Sequence, residues 1–320
     1  MKPFFSFSNP WLWIVIGAVY GISLRVLFVW VPWRIDGAMS AAFLLATPLA
    51  IGAITIYGLR KRKLSIPNMI FFPWFTVTMM MIGTAVSLLE GSICIALMSP
   101  LFLGLASLGG LIMGLVLRYT QKQKTPLAAF ALLPFLVAGT ENQLVQNAHL
   151  LEVKRSIVVS ASAEIIWQEI VSAKQIHAHE LPFSLSHSIG VPKPLEGINK
   201  QVDDKEIRYS VWERGVNFEA EILEKNYPKN IYWRYRFNEN SFPKGSMDDH
   251  VAIGGKHFNL LDTRFELTPI DRQTTHLTLT AHYRVSSSIN FYALPLSRVL
   301  GIDFVDTILG LYKYRSETNS

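Results

Sequence analysis

The residues whose types and spacing come closest to a catalytic set lie in the stretch DDHVAIGGKHF, at 248–258. Asp249 directly precedes His250 and could orient its imidazole, as an acid orients a general base. His257 follows across a Gly-Gly step that predicts a tight turn. No nucleophile motif, P-loop or dinucleotide fingerprint accompanies them. His250 and Asp249 are therefore candidate acid/base residues, and the alternative is that they cap a loop at the mouth of a pocket.

A second histidine cluster, HAHE at 177–180 with His187 beyond it, offers nitrogen and carboxylate ligands of the kind that bind zinc. It lacks the H-E-x-x-H spacing that places two histidines on one face of a helix. Cys94 is the only cysteine, so neither an intrachain disulfide nor a cysteine-based zinc site can form. We therefore predict no metal site and no cofactor.

Charge is distributed unevenly along the 320 residues, of which 17% are charged and half are hydrophobic. Residues 1–149 carry ten Lys and Arg against three acids, whereas residues 150–320 carry 20 against 21. The excess positive charge lies between hydrophobic segments. Binding to nucleic acid would instead need a basic face on a folded domain, so we expect no nucleic-acid partner.

Residues 1–149 contain apolar runs of the length that crosses a bilayer, about 20 residues. The fifth run has only 15 residues and spans if its helix continues or the bilayer thins locally. The first run is too long for a signal peptide, and more runs follow it. We predict an α-helical membrane bundle of about five transmembrane helices, at 11–33, 37–59, 67–89, 93–117 and 126–140.

Lysine and arginine in the short loops predict the orientation of these helices. The side predicted to be cytoplasmic carries Lys2, Arg60, Lys61, Arg62, Lys63, Arg118, Lys122 and Lys124. The other side carries only Arg34. Five spans place the C-terminal half outside the cytoplasm and four place it inside, an arrangement that Lys154 and Arg155 favour. We expect five spans, in an integral protein of a bacterial inner membrane with an extracytoplasmic, periplasmic C-terminal domain.

Two features interrupt the apolar character of the predicted bundle. Arg25 marks a functional site by default, or it snorkels outward, or it pairs with Glu90 or Glu141. Gly110 and Gly114 have the small-xxx-small spacing that favours close helix packing, within the bundle or in a dimer. No inverted repeat or matching pair of broken helices typical of transporters is present. The bundle is interpreted as an anchor or scaffold.

From about residue 150 the pattern changes to segments with one apolar face, typical of an antiparallel sheet buried on one side. A strand near 156–159 precedes a short helix for which Ser162 is the predicted N-cap. A long helix near 291–315 closes the chain. The alternating segments between the two helices lie at 207–213, 216–222, 230–237, 263–267 and 276–285.

Several of these segments resemble those of one superfamily: VVSASAEIIWQEIV, LPF with GVPKPLEG, RGVNFEAEI and TRFELTPIDRQTTHLTLTAHYRV. They are similar to START-like, or SRPBCC, proteins of the Bet v 1-like helix-grip fold, often labelled polyketide cyclase/dehydrase. The whole chain resembles the branch with N-terminal membrane helices. The resemblance implies an α+β domain over 150–320, with a curved sheet around a C-terminal helix and an apolar cavity between them.

The predicted inward row of this sheet is rich in aromatic side chains. Any single one of these side chains fits an ordinary hydrophobic core. Together they favour a large apolar cavity with a few polar groups. Tyrosine and tryptophan supply such groups, because their O–H or N–H needs a partner when buried. The candidate ligand-binding residues are Phe218, Trp233, Tyr235, Phe237, Phe265 and Tyr283.

We consider three hypotheses about function, because this fold hosts many different functions. The main hypothesis is a membrane-tethered module that binds a lipid or other hydrophobic small molecule and keeps it beside the bilayer. One alternative is a cyclase/dehydratase-like or hydrolase-like enzyme that uses His250 with Asp249 or a pocket tyrosine. The other is a membrane sensor or assembly factor whose bundle docks a membrane protein partner. We expect a binding protein rather than an enzyme.

Overall fold

The computed structural model describes residues 9–30, 37–62, 64–119, 125–141, 147–248 and 253–318. The chain separates into two compact units, Met1–Gln146 and Asn147–Ser320. The described part of the first unit is helical, and the second is built on one antiparallel sheet.

Apolar helices make up the first unit: α1 Pro10–Trp30, α2 Thr47–Gly58, α3 Ile66–Val86, α4 Ser92–Tyr119 and α5 Thr125–Glu141. A π-helical turn, Ala42–Ala46, runs directly into α2. Helices α1, α3 and α4 are long and apolar enough to cross a membrane, whereas the apolar stretches Ala42–Gly58 and Leu127–Thr140 are shorter. The structure thus gives three candidate spans within the described residues, where the sequence predicts about five.

Close helix packing in the first unit depends on small residues. A Cβ atom built on Gly52 of α2 would overlap the carbonyl oxygen of Ala106 in α4. A Cβ on Gly110 would overlap the carbonyl oxygen of Met69 in α3, and one on Gly114 would overlap the Met69 side chain. The predicted close packing at Gly110 and Gly114 is therefore confirmed within the bundle, because only small residues let backbones approach this closely.

The charge inside the first apolar run is neutralised by an acid from a distant segment. Arg25 is 3% exposed, and its Nε donates to Oε1 of Glu90. Its Nη2 donates to the carbonyl oxygen of Leu89 at 2.9 Å. Of the alternatives for Arg25, pairing with Glu90 is confirmed, and the pair offsets the cost of burying either charge alone.

The described part of the second unit contains eight antiparallel strands in the order β1-β8-β7-β6-β5-β4-β3-β2. Short loops join neighbours from β3 to β6 and from β7 to β8, and β1 pairs with β8 along its whole length. The strands are β1 Ala148–Val159, β2 Ser172–Ala173, β3 Pro194–Val202, β4 Lys205–Trp212, β5 Asn217–Asn226, β6 Asn230–Arg236, β7 Phe258–Pro269 and β8 Thr275–Ser286.

The described residues of this unit also form three α-helices: α6 Ala163–Val171, α7 Leu185–Ser188 and α8 Asn290–Thr318. Helix α6 begins where Ser162 predicted, because the Ser162 side chain accepts a hydrogen bond from the Ile165 amide at 3.5 Å. Helix α8 extends the predicted helix by a few residues at its C-terminal end. Its Val305, Leu309 and Leu311 pack with the apolar face of the sheet in one core. The sheet curls around α8.

Candidate functional site

A cavity of about 80 Å³ lies between the concave face of the sheet and α8. A buried water needs at least ~10–15 Å³ on this measure, so the space holds on the order of five water molecules. Strands β3 to β8 contribute side chains to its wall, and α8 contributes Phe304, Val305, Ile308, Leu311 and Tyr312. The wall is mainly apolar and aromatic.

One end of the cavity carries a buried cation, Arg208 of β4, which is 6% exposed. Its guanidinium donates to the carbonyl oxygen of Ile170 at 2.6 Å and to Oδ1 of Asn199 at 3.1 Å. It also donates to the Tyr312 hydroxyl at 3.0 Å, and it lies over the Trp233 ring, 4.7 Å from the centroid. These contacts fix the guanidinium against the wall.

Two more polar groups stand beside this cation. The hydroxyl groups of Tyr235 and Thr263 are 2.9 Å apart. Burial raises the pKa of Tyr235, against smaller lowering effects from Thr263, Trp233 and Arg208. The Trp233 indole thus lies near the Tyr235 hydroxyl, but the two do not meet hydrogen-bond geometry. Trp233 Nε1 is buried without a hydrogen-bond partner among the described residues, so its N–H keeps its donor capacity.

The other end of the cavity is aromatic. Trp212 of β4 stacks on Phe304 of α8 with ring centroids 5.6 Å apart, and Phe218 of β5 lies 5.5 Å from Trp212. Trp212 is four residues along β4 from Arg208, which corresponds to about 13 Å in a strand. The cavity therefore has a cationic, donor-rich end and an apolar, aromatic end.

The strand order, the curl of the sheet around α8 and the enclosed cavity together decide the architecture. The second unit has the START-like, helix-grip fold. The resemblance found in the sequence is thereby confirmed at the level of fold. We call residues 147–320 the helix-grip unit.

No family model and no curated protein matches the chain. Among solved structures, a START superfamily protein from Mycobacterium smegmatis is 14% identical, with 53% of this chain and 99% of that chain covered and a TM-score of 0.35. An aromatase/cyclase from a Streptomyces species is 12% identical, with coverage of 53% and 96% and a TM-score of 0.33. A norcoclaurine synthase from Thalictrum flavum is 11% identical, with coverage of 56% and 97% and a TM-score of 0.32.

Four of the six predicted ligand residues line the cavity of the helix-grip unit: Phe218, Trp233, Tyr235 and Phe265. Phe237 packs beside the cavity, with its ring 5.6 Å from that of Phe218. Tyr283 lies elsewhere in the core, where its ring is 5.7 Å from that of Phe258 and its hydroxyl donates to the Ser297 carbonyl at 3.3 Å. Ligand contact by any of the six stays a prediction.

The sequence pattern did not single out the polar side of the cavity. Segment 207–213 offers two alternating rows, and the apolar row contains Val211. In the structure Val211 is 39% exposed, whereas Arg208, Ser210 and Trp212 are buried and line the cavity. One feature of the sequence does indicate the inward row: Trp212, a large aromatic residue, lies in the same row as Arg208.

The histidine clusters divide between described and undescribed parts of the chain. Asp249 and His250 lie outside the described residues, and their acid/base role stays a prediction. His257 is buried, with Nδ1 3.0 Å from the Ser286 carbonyl oxygen. The His177 backbone N–H donates to Oε1 of Glu180 at 3.2 Å, and the Glu180 N–H donates to the His177 backbone carbonyl at 3.0 Å. In the part of the chain that the structure describes, no three His, Cys, Asp or Glu side chains are grouped to hold a metal ion.

Proposed function

We propose that this protein is a membrane-tethered binding module whose helix-grip unit holds a hydrophobic small molecule. The observation that carries the proposal is the cavity between the sheet and α8, with an apolar and aromatic wall and a few polar groups at one end. Ligand sites have this composition because apolar surface supplies affinity and a few polar groups fix orientation.

The size of the cavity limits what can bind without rearrangement. Ligand pockets usually enclose roughly 300–1,000 Å³, whereas this one encloses about 80 Å³. Phe304 and Ile308 of α8 line it and are only partly buried. Entry of a lipid chain therefore requires these side chains, or α8 itself, to move away from the sheet.

The test of binding uses the full chain, purified in detergent and mixed with a membrane lipid extract. Native mass spectrometry is expected to detect a bound small molecule on the wild-type protein. Ala281→Phe fills the cavity from β8 and is expected to remove that species, at a packing cost of about 1–3 kcal/mol.

Thr278→Phe is the matched control, because Thr278 is a partly exposed residue of the same strand and does not line the cavity. It is expected to retain the bound species. A wild-type protein that is always empty, or an Ala281→Phe protein that folds and carries as much ligand as wild type, contradicts the proposal.

The membrane part of the proposal is an integral protein of a bacterial inner membrane with five spans and an extracytoplasmic helix-grip unit. The three long apolar helices support membrane association, and the loop lysines and arginines support the orientation. Alkaline phosphatase fused after residue 320 is expected to be active. An inactive phosphatase fusion together with an active cytoplasmic reporter at the same site would replace this topology by a four-span one.

A further inference from the structure

Arg208 is a buried charge without an acidic partner in the part of the chain that the structure describes. Among the described residues, no carboxylate forms an ion pair with its guanidinium, and its hydrogen bonds to Ile170, Asn199 and Tyr312 all go to neutral oxygens. Two other buried or partly buried arginines have acidic partners: Arg315 lies 2.9 Å from Glu169, and Arg25 pairs with Glu90. Burying an unpaired charge is costly, and an anion beside it recovers much of that cost.

The guanidinium also keeps donor capacity. A guanidinium has five N–H groups, and three of them are used by Ile170, Asn199 and Tyr312. The Trp233 ring lies against it, with the centroid 4.7 Å away, and the indole N–H forms no hydrogen bond within the described residues. Two neighbouring side chains of the cavity wall therefore have unused donors, and an acceptor with negative charge suits them best.

The chain makes room for this arrangement on the neighbouring strand. Gly197 of β3 lies beside Arg208, and a Cβ atom there would overlap Nη2 of the guanidinium. The preceding residue, Glu196, is the only other charged residue in the wall, and it forms no ion pair with Arg208 within the described part of the chain. Since the described residues place no paired negative charge beside Arg208, a bound anion would supply one.

We infer that the ligand of this cavity is an apolar carboxylic acid whose carboxylate binds Arg208 and the Trp233 N–H. Its apolar part lies toward the aromatic end formed by Trp212, Phe218 and Phe304. A carboxylate suits a guanidinium because it accepts two parallel, charge-assisted hydrogen bonds. The inference rests on the proposed function and narrows its ligand class.

The test compares acids with neutral molecules of the same shape. Hexanoate and decanoate are titrated into the full chain in nanodiscs at pH 7, each beside its primary amide, with empty nanodiscs as the blank. The wild-type protein is expected to bind each acid at least about tenfold more tightly than its amide, as one charged hydrogen bond commonly supplies. Comparing the two chain lengths distinguishes a short acid from a fatty acid.

Arg208→Met is expected to abolish the preference for the acid, so that acid and amide bind about equally. Arg264→Met is the matched control, since Arg264 also lies 4.7 Å from an aromatic centroid, that of Tyr232, but pairs with Glu224 and does not line the cavity. It is expected to keep the preference. If the methionine variant does not fold, Arg208→Lys, which keeps the charge, replaces it in the comparison of acid and amide binding.

The outcomes separate the two proposals. Equal binding of acid and amide by the wild-type protein overturns the carboxylate inference and leaves a hydrophobic binding module. A preference for the acid that survives in folded Arg208→Met also overturns it. Absence of any binding, together with an empty wild-type protein in native mass spectrometry, removes the binding function itself.

Discussion

Alternation along a strand places Arg208 in the cavity and leaves its neighbours on the other face. The guanidinium then depends on Gly197, because any larger residue there meets Nη2. In a strand, glycine usually weakens packing, and its presence often marks a close approach of another group. Here the approaching group is the cation of the cavity, so a single small residue determines where the charge lies.

Gly197→Ala is expected to lower the free energy of unfolding by about 1–3 kcal/mol, because the added methyl group displaces the guanidinium. In an Arg208→Met background the cost is expected to be smaller, since a flexible apolar chain moves aside more easily. Urea denaturation followed by tryptophan fluorescence measures both. Equal costs in the two backgrounds would show that the methyl group acts through some other contact.

His282 lies between two acids on the side of β8 away from the cavity. Its Nδ1 is 2.6 Å from Asp262 of β7, and its Nε2 is 3.2 Å from Glu152 of β1. Partial burial lowers the pKa of His282, but the hydrogen bonds and charges of Asp262 and Glu152 outweigh it and raise the pKa above its ordinary value. Protonated His282 therefore links three neighbouring strands.

A raised pKa in the folded state means that this contribution to stability is fully present below about pH 6.5, the unfolded value. It is lost as pH rises through the folded pKa. His282→Gln is therefore expected to destabilise the protein more at pH 6 than at pH 9 in thermal unfolding. His276→Gln, on the same strand, is the control for loss of a histidine, and an equal effect of His282→Gln at both pH values would contradict the prediction.

The pKa of His187 is shifted in the opposite direction to that of His282. Burial lowers the pKa of His187 more than its hydrogen bond to the Val191 carbonyl raises it. The contribution of His187 to stability is present above about pH 6.5, the unfolded value. It is lost as pH falls through the lowered pKa of His187 in the folded state. The two opposing effects overlap in the wild-type protein, and His282→Gln removes one of them.

Helix α8 is tied to the edge of the unit through Asp303. The carboxylate accepts hydrogen bonds from the Ser184 hydroxyl at 2.8 Å, the Leu185 amide at 2.8 Å and the Ser186 amide at 2.9 Å. Burial raises the pKa of Asp303, but the hydrogen bonds from Ser186, Leu185 and Ser184 together lower it by more. The pKa of Asp303 therefore lies below its ordinary value. One side chain thus joins α7 to α8, the helix that closes the cavity.

Asp303→Ala is expected to cost about 1.5–3 kcal/mol of unfolding free energy, since a charged acceptor is removed from buried donors. Asp306→Ala, on the same helix, removes an exposed ion pair with Arg155 and is expected to cost less than about 1 kcal/mol. Denaturant titration of both variants at pH 7 compares them. Similar costs would mean that the contacts of Asp303 do not hold α8.

At the scale of the whole molecule, the compositions of the two units suit different solvents. Three helices of the first unit are apolar over lengths that cross a membrane, whereas the helix-grip unit alternates polar and apolar faces. The full chain is therefore expected to stay in the membrane pellet after alkaline carbonate extraction and to be released by detergent. Release by carbonate alone would contradict membrane integration through these helices.

The elements of the helix-grip unit were largely predictable. The apolar rows of β5, β6 and β8 and the N-cap at Ser162 follow from local pattern and are present in the structure. The row of β4 was not predictable, because both of its faces contain apolar or aromatic residues. The candidate pair Asp249 and His250 lies outside the described residues, so the structure does not test it.

Sequence alone therefore determined the helical first half, the antiparallel sheet with its closing helix and most of the aromatic wall, because periodicity and apolar length are local properties. Only the tertiary structure decided which face of β4 turns inward, that Arg25 meets Glu90 and that Arg208 and Trp233 share one end of a cavity. Those facts depend on contacts between segments far apart in the chain, and local pattern carries no information about which distant side chain completes a charge or a donor.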